Sequence, residues 1–359
     1  FRRVLFRSTY KCPNCGAALT FDSKTQKLHC SHCDTSIDVE AMKALSDTPS
    51  GTDQDNARWN TSDAGSNWSS GEQQGMRSYH CPTCGAELVT DETTAASTCA
   101  YCGSPVVLSD HLSGAKRPNY VIPFKVDKKT AKETLKNFYK GKIFLPRAFS
   151  AENHLEEISG IYVPFWLYSC ESNGSFSFDA TRTHHYTDGD YDVTETEHYL
   201  VLRDGEARFN NIPVDGSSKM DDAYMDAIEP FDYSAITDFH TDYLPGYAAQ
   251  TYDEDATACA PRATARVKNT TIAAIRRTCD YTTLTPRTSK ISTTQNSVDY
   301  ALLPVWMLTT NWHGKSYHFA INGQTGKLIG DLPIDKGRFF SLLAGITIPL
   351  GILLKLFIF

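Results

Sequence analysis

The chain has 359 residues, of which 41% are hydrophobic, and a formal net charge of −7. A chain of this length can bury a sizeable core and can hold two or three folded units. The acidic balance argues against a generic nucleic-acid binder, because such proteins neutralise phosphates with an excess of Lys and Arg.

The cysteine pattern suits a metal ion better than a ladder of disulfides. The 11 cysteines are an odd number, and most of them fall into four C-x-x-C pairs. We therefore expect reduced cysteines and a cytoplasmic compartment. Residues 1–8 (FRRVLFRS) resemble a translated sequencing adaptor, so we expect a non-native leader there.

The first predicted unit is a zinc ribbon at residues 9–45. Its candidate metal ligands are Cys12, Cys15, Cys30 and Cys33. A polar linker follows at 46–78 and contains too little apolar surface to fold alone. Two tryptophans, Trp59 and Trp68, interrupt the linker, and we expect them to dock onto the neighbouring domain.

A second zinc ribbon is predicted at residues 79–110, with Cys81, Cys84, Cys99 and Cys102 as its ligands. The segment CPTCGAELVTD aligns with CPNCGAALTFD of the first ribbon, and in both copies 14 residues separate the two C-x-x-C pairs. Such self-similarity indicates an internal duplication.

Two C-x-x-C turns can supply the four tetrahedral thiolates that Zn²⁺ takes at about 2.3 Å. Four protein ligands leave no open coordination position, so the sequence predicts two structural Zn²⁺ ions and no metal catalysis. Iron–sulfur binding and a redox dithiol are the alternatives. The adjacent His29, His32 and His80 could each replace a cysteine, but the complete cysteine set favours other roles for them.

The third predicted unit, residues 111–335, is a mixed α+β domain with an antiparallel sheet. Asp127 is expected to cap a helix that ends at Gly141, and a longer helix is expected over about 255–279. Asp188 and Gly189 are expected to form a hairpin turn. Ser218 together with Asp221 fits an N-terminal helix cap.

Three further features leave alternatives open. His184, His185 and His198 lie around the predicted hairpin and indicate either a second metal site or a polar turn. Residues 116–147 carry ten Lys and Arg against two acids, which suits an anionic membrane surface, a solvated face or nucleic acid. The segment GQTGK at 323–327 lacks the spacing of a phosphate loop, so no ATPase motor is predicted.

The last segment, 339–359, is an apolar run with a single charged residue, Lys355. Its length matches one hydrocarbon core, so we expect a C-terminal transmembrane helix. The flanking basic residues Lys336 and Arg338 predict a tail anchor in the cytoplasmic membrane, with the soluble domains facing the cytoplasm.

The motifs together resemble a known family. CPNCGAALTFD, YVIPF, IPVDGSSKMDD and FAINGQTGKLIGDLPIDKG are similar to uncharacterised bacterial double zinc-ribbon membrane proteins, which are often labelled as primosomal-helicase-like or as carrying a transcription-factor-type zinc ribbon. The resemblance implies a double ribbon, an α+β domain and a membrane helix, and it implies no established activity.

Taken together, these features lead us to expect a membrane-anchored adaptor or scaffold that binds a protein partner and is not an enzyme. Nucleic-acid binding without an ATPase motor is the alternative.

Overall fold

The computed structural model describes residues 12, 19–32, 36–39, 57–69, 71–73, 75–92, 94, 96, 98–109, 115–151 and 157–358. Fourteen strands are described, namely β1 (Thr20–Asp22), β2 (Lys27–His29), β3 (Ser36–Asp38), β4 (Met76–His80), β5 (Glu87–Asp91), β6 (Val107–Ser109), β7 (Tyr120–Val121), β8 (Ser159–Asp188), β9 (Tyr191–Asp215), β10 (Thr237–Asp238), β11 (Ala248–Gln250), β12 (Thr283–Trp312), β13 (Lys315–Asn322) and β14 (Leu328–Gly330). Five helices accompany them, namely α1 (Lys128–Tyr139), α2 (Arg147–Ala151), α3 (Asp222–Ala227), α4 (Ala256–Arg276) and α5 (Lys336–Ile358).

The predicted fold class is wrong, because the chain is mostly β, with 44% of its residues in strands. An 11-stranded sheet has the strand path β10-β7-β12-β8-β11-β5-β4-β6, with β9, β13 and β14 paired beside it. The sheet is mixed, since β11 runs parallel to β8 and β12 runs parallel to β7. Strands dominate because β8, β9 and β12 continue for 30, 25 and 30 residues through polar as well as apolar stretches, since backbone pairing does not depend on side-chain polarity.

The predicted C-terminal transmembrane helix is also wrong, and with it the tail anchor and the location in the cytoplasmic membrane. Within the described part of the chain, no helix combines the length and the apolar content needed to cross a membrane. A span needs about 20 predominantly apolar residues. Within the run that the sequence suggested, α5 carries the polar Ser341 and Thr347 together with Gly345 and Pro349.

The chain forms two compact units, of which the second comprises Trp59–Cys170, Phe209–Ala263 and Gln295–Phe359. In this unit residues 161–168 of β8 and 300–308 of β12 are buried on both faces. Odd-numbered residues of β8, such as Phe165 and Leu167, face one apolar cluster, and even-numbered residues, such as Trp166 and Tyr168, face another. Alternate strand residues point to opposite faces of a sheet, so a strand covered on both sides reads as a continuous apolar run.

Different elements cover the two faces of that sheet. The first half of α4 and the two tryptophans of the linker cover the even face. Trp59 packs edge-on against Tyr168 at 4.9 Å between ring centroids, and Trp68 donates to the Ala115 carbonyl at 2.8 Å. The prediction that these tryptophans dock is therefore confirmed. The odd face is covered by residues of the second cysteine module.

The predicted cap and end of α1 and the predicted hairpin turn are confirmed. Asp127 caps α1 by accepting from the Thr130 N–H at 2.7 Å, and Gly141 follows with a left-handed φ of +74°. The hairpin turn between β8 and β9 lies at Asp188–Tyr191, with Gly189 at φ +62°. A positive φ is available to glycine at no steric cost, which is why such turns can be predicted.

The first unit comprises Phe1–Arg58, Glu171–Arg208 and Thr264–Thr294. Its described part contains the antiparallel three-stranded sheet β1-β2-β3, which buries Leu28 and Ile37. A separate apolar cluster in this unit gathers Phe176, Phe178 and Val201 with Ile275 of α4.

Candidate metal centre

Two tight turns of the second cysteine module carry its four sulfurs. The Gly85 N–H donates to the Cys81 carbonyl, and the Gly103 N–H donates to the Cys99 carbonyl, both at 2.8 Å. Gly85 and Gly103 have φ values of +73° and +72°, which residues with a Cβ rarely adopt. The C-x-x-C-G sequence therefore folds twice into the same turn, and each turn brings two sulfurs to one side of the backbone.

The two turns bring all four cysteines together. Their sulfur atoms lie within 4.8 Å of one another. Across the turns, Cys81 Sγ is 3.5 Å from Cys102 Sγ, and Cys84 Sγ is 3.6 Å from Cys99 Sγ. Cys81 and Cys99 are buried, whereas Cys84 and Cys102 are half-buried. The cluster could therefore hold a metal ion.

The spacing of the sulfurs tests which ion fits. Four sulfurs at about 2.3 Å from a tetrahedral Zn²⁺ stand roughly 3.8 Å apart, which is close to the two separations across the turns. A disulfide requires about 2.05 Å between sulfurs, far below those separations. The donor set and its spacing fit a tetrahedral ion with four thiolate ligands.

Backbone N–H groups of the turns point at the sulfurs. Burial raises the pKa of Cys81, but hydrogen bonds from the N–H groups of Cys84 and Thr83 outweigh it and bring the pKa down to about 7. Burial raises the pKa of Cys84 and holds the pKa of Cys99 well above its usual range. A metal ion binds thiolates, so its binding to this cluster would release protons.

The second turn is fastened to the large sheet through Tyr101, which lies between its two cysteines. The Tyr101 hydroxyl donates to Gln250 Oε1 of β11, and Gln250 Nε2 donates to Ser217 Oγ at 2.7 Å. All three side chains are buried. On the other side, Thr309 Oγ1 of β12 donates to the Tyr101 carbonyl at 2.7 Å. The turn is therefore held by two strands of the sheet.

A lysine lies against the first turn. Lys219 Nζ is 2.8 Å from Asp253 Oδ2, and a Cβ added to Gly85 would stand 3.8 Å from the same Nζ. The hydrogen bond to Asp253 raises the pKa of Lys219, and the negative charges of Cys84 and Cys99 raise it further. The site thus has a cation beside it.

The prediction that Ser218 takes part in a helix cap is wrong. Asp221 caps α3 by accepting from the Ala223 N–H at 2.8 Å. Ser218 instead donates through its hydroxyl and its N–H to Asp253, at 2.6 and 2.8 Å. Ser218 prefers the carboxylate that already holds Lys219, because that carboxylate can accept several hydrogen bonds at once.

The first cysteine module is described in part. Cys12 and Cys30 are buried, while Cys15 and Cys33 lie outside the described residues. When Cys12 is aligned with Cys81, the pair His29↔Ser36 of the first module corresponds to Thr98↔Pro105 of the second, and both pairs are antiparallel. The two copies therefore share a strand register as well as a cysteine spacing.

The other candidate residues do not join a metal cluster. Across the β8–β9 hairpin, His184 Nε2 is 3.9 Å from Glu197 Oε2, and His185 Nδ1 is 2.9 Å from Thr194 Oγ1. Over the described ranges, the grouping of metal-binding side chains is confined to the four cysteines. Burial raises the pKa of Cys170 to about 11 and that of Cys259 to about 12, which keeps both thiols neutral.

Sequence reasoning did not find the partners of the cluster. Gln250, Lys219 and Thr309 come from three segments far along the chain, and no local spacing links them to the cysteines. The one available signal was Tyr101, because an aromatic residue inside a tight metal-binding turn needs a neighbouring surface to cover it.

No protein-family model matches the chain, and no solved structure matches it. Its sequence is 36% identical over 349 residues to the uncharacterised protein YdjG of Bacillus subtilis (strain 168). That alignment covers 97% of this chain and 96% of YdjG. The similarity thus extends through both cysteine modules and the large sheet.

Proposed function

The chain belongs to the same family as YdjG of Bacillus subtilis, and we propose that it is a zinc-binding scaffold protein. In this proposal Cys81, Cys84, Cys99 and Cys102 hold a structural Zn²⁺. The supporting observation is the spacing of four cysteine sulfurs within 4.8 Å of one another, with pairs at 3.5 and 3.6 Å.

The role of the ion follows from its four ligands and from where they lie. Four thiolates complete a tetrahedral Zn²⁺ and leave no position for a substrate. Cys81 and Cys99 belong to the apolar cluster that includes Phe165 and Leu303. The ion would therefore fix a cover over one face of the large sheet, and part of its binding energy would become folding energy.

A second structural Zn²⁺ at Cys12, Cys15, Cys30 and Cys33 is part of the same proposal. Its support is the shared strand register of the two modules and the burial of Cys12 and Cys30.

The test is the metal content of the full chain, measured by native mass spectrometry and elemental analysis. We expect two zinc ions per chain, one of which is lost when Cys84→Ser removes a ligand of the second module. The matched control is Cys279→Ser, since Cys279 lies outside the cluster and should leave the zinc content unchanged. A wild-type chain that binds no zinc, or a Cys84→Ser variant that keeps both ions, would contradict the proposal.

The scaffold role is supported by aromatic residues near the end of the β8–β9 hairpin. Tyr186 and Tyr191 are 50% and 77% exposed, and tyrosines are enriched where proteins bind one another. The hairpin would thus present a surface for a protein partner.

A photo-crosslinking amino acid at Tyr191, introduced into the chain in living cells, tests this surface. We expect a discrete crosslinked partner that disappears when Tyr186 is also changed to Ser. The control position is Lys315, which is exposed at the start of β13, next to a different turn. Equal crosslinking from both positions, or none from Tyr191, would refute the scaffold role.

Nucleic-acid binding without a motor is a second candidate function, and α1 is the feature that favours it. Lys128, Lys129, Lys136 and Lys140 are exposed on or just after this helix. Contacts between lysines and phosphates weaken steeply with salt. Salt-dependent retention on single-stranded DNA, lost when Lys129 and Lys136 become Gln, would support this function over the scaffold role. The net charge of −7 predicts no retention.

A further inference from the structure

Four thiolates around Zn²⁺ carry a net charge of −2, and here that charge would lie partly inside an apolar core. Cys81 and Cys99 are 0% and 2% exposed and pack against residues of the large sheet. Burying a charge is costly unless it is paired or hydrogen-bonded. Backbone N–H groups of the two turns meet part of this cost, because they donate to the sulfurs of Cys81 and Cys99.

Lys219 is placed to offset more of the free-energy cost of burying this negative charge. Its Nζ lies over the backbone of the first turn, with a Cβ on Gly85 standing 3.8 Å away, and its side chain is 18% exposed. The ammonium group has three N–H donors. Asp253 accepts from it at 2.8 Å, which leaves two donors for the sulfurs or for water.

The lysine is held in this position by its neighbours. Asp253 accepts from the Ser218 N–H at 2.8 Å and from the Ser218 hydroxyl at 2.6 Å. The same loop is tied to the second turn, since Ser217 Oγ accepts from Gln250, and Gln250 accepts from Tyr101. A charged side chain that is already held in place loses little conformational entropy on interacting with a bound ion, so its net interaction with the ion is stronger.

We infer that Lys219 is a positioning residue of the metal centre, whose ammonium group compensates the charge of the zinc thiolates and slows release of the ion. The inference rests on the proposed zinc site and adds to it the residue that sets the affinity. Groups that contact metal ligands typically change metal affinity by about 10–100-fold when they are removed.

The opposing explanation is that Lys219 and Asp253 form an ordinary surface ion pair. Such a pair contributes about 0–1 kcal/mol to stability and does not act on the ion. In that case Lys219→Met and Asp253→Asn would behave alike. If the ammonium acts on the cluster, only Lys219→Met removes the compensating charge, because Asp253→Asn keeps the cation and an amide oxygen that can still accept its hydrogen bond.

The experiment measures the rate at which zinc is transferred from the full chain to a chromophoric chelator. The chain carries Cys12→Ser and Cys30→Ser, so that all of the transferred zinc comes from the second module. In this background we expect Lys219→Met to release zinc about 10-fold faster. Lys219→Arg should restore release to within a few-fold, and Asp253→Asn should have a smaller effect than Lys219→Met.

Lys125→Met is the matched control, because Lys125 likewise pairs with an aspartate, Asp232 at 3.6 Å, in the same unit. It should release zinc at the parent rate. Salt provides a second readout, since about 1 M salt screens charges beyond roughly 3 Å. The difference between Lys219→Met and the parent should therefore shrink at high salt.

Equal release from Lys219→Met and Lys125→Met, with a parent chain that binds zinc, would overturn the inference and leave the zinc site intact. Equal effects of Lys219→Met and Asp253→Asn would overturn it as well. A parent chain that binds no zinc would instead refute the proposed function. Circular dichroism of each variant verifies that it folds, and Lys219→Gln, which also removes the charge, carries the test if Lys219→Met does not fold.

Discussion

The ion pair between Arg262 and Asp215 offers the sharpest test of the energetics of the second unit. Asp215 ends β9 and is 0% exposed. Arg262 of α4 contacts Asp215 Oδ1 at 2.9 Å and reaches two half-exposed carboxylates, Asp222 at 2.9 Å and Asp226 at 3.5 Å. Within the described residues, Asp215 Oδ2 has no hydrogen-bond partner. Arg262→Met removes the cation that pairs with this buried carboxylate.

The loss of folding stability expected for Arg262→Met depends on pH. Burial raises the pKa of Asp215 to about 6, although Arg262 pulls it down. Near pH 7.5 Asp215 is charged, and breaking a buried pair by removing one member costs about 3–5 kcal/mol. At pH 5 Asp215 is mostly protonated in the folded protein, so the variant loses mainly the contacts with Asp222 and Asp226, worth about 1 kcal/mol.

The stability of the wild-type chain should also depend on pH through the titration of Asp215, and the direction of that dependence follows from its pKa. The pKa of Asp215 is about 6 in the folded state against 3.8 for the ordinary carboxyl. The folded state therefore holds a proton that the unfolded state gives up between about pH 4 and pH 6. The stabilising contribution of this proton is full below pH 4 and is lost as the pH rises through 6, by about 1.4 kcal/mol per pKa unit. Asp215→Asn should abolish that slope.

Urea unfolding followed by tryptophan fluorescence at pH 7.5 and pH 5 measures these differences. The control is Arg287→Met, because Arg287 pairs with the exposed Asp179 at 3.5 Å and should cost no more than about 1 kcal/mol at either pH. The double variant Asp215→Asn/Arg262→Met should recover part of the loss at pH 7.5. An equal loss at both pH values, or a loss below about 1 kcal/mol at pH 7.5, would refute the reasoning.

Three further perturbations have defined outcomes. Tyr101→Phe should lower the free energy of unfolding by about 1–3 kcal/mol, because it leaves the buried Gln250 Oε1 without its donor. Urea denaturation measures this loss, and the double variant Tyr101→Phe/Gln250→Met should recover part of the lost stability. Gly216→Ala should cost about 1–3 kcal/mol, since the new Cβ would stand 2.8 Å from Trp166 Nε1; an unchanged melting temperature would contradict that contact. Removing zinc with a chelator should expose residues 99–109 to limited proteolysis, and adding Zn²⁺ back should protect them. If the rate of cleavage is the same with and without zinc, the ion is not structural.

Part of the candidate site could be predicted from the sequence because its geometry is local. The C-x-x-C-G spacing fixes each turn, and the structure brings Cys81, Cys84, Cys99 and Cys102 within 4.8 Å of one another. The four ligands of the first module stay a prediction, since Cys15 and Cys33 lie outside the described residues. Whether either cluster holds zinc also stays a prediction.

The predictions from the sequence were wrong where the fold depends on pairing between strands that are far apart in the chain. The second module was predicted as a separate ribbon beside an antiparallel sheet, yet its β5 pairs with β11 through Leu88↔Gln250 and joins an 11-stranded mixed sheet. Residues that pair across such a separation leave no period in the sequence. The membrane helix was predicted from the length and apolar composition of 339–359, and no helix in the described part of the chain is long and apolar enough to cross a membrane.

The sequence by itself determined most of the turns and caps, since each of these depends on a few adjacent residues and their backbone preferences. Examples are the positive φ of Gly85 and Gly103, the capping carboxylate of Asp127 and the hairpin turn at Gly189. Only the tertiary structure decided which surface the cysteine cluster covers and that Lys219 lies beside it. Those contacts join segments separated by more than a hundred residues, and packing of the two sheet faces, rather than any local propensity, brings them together.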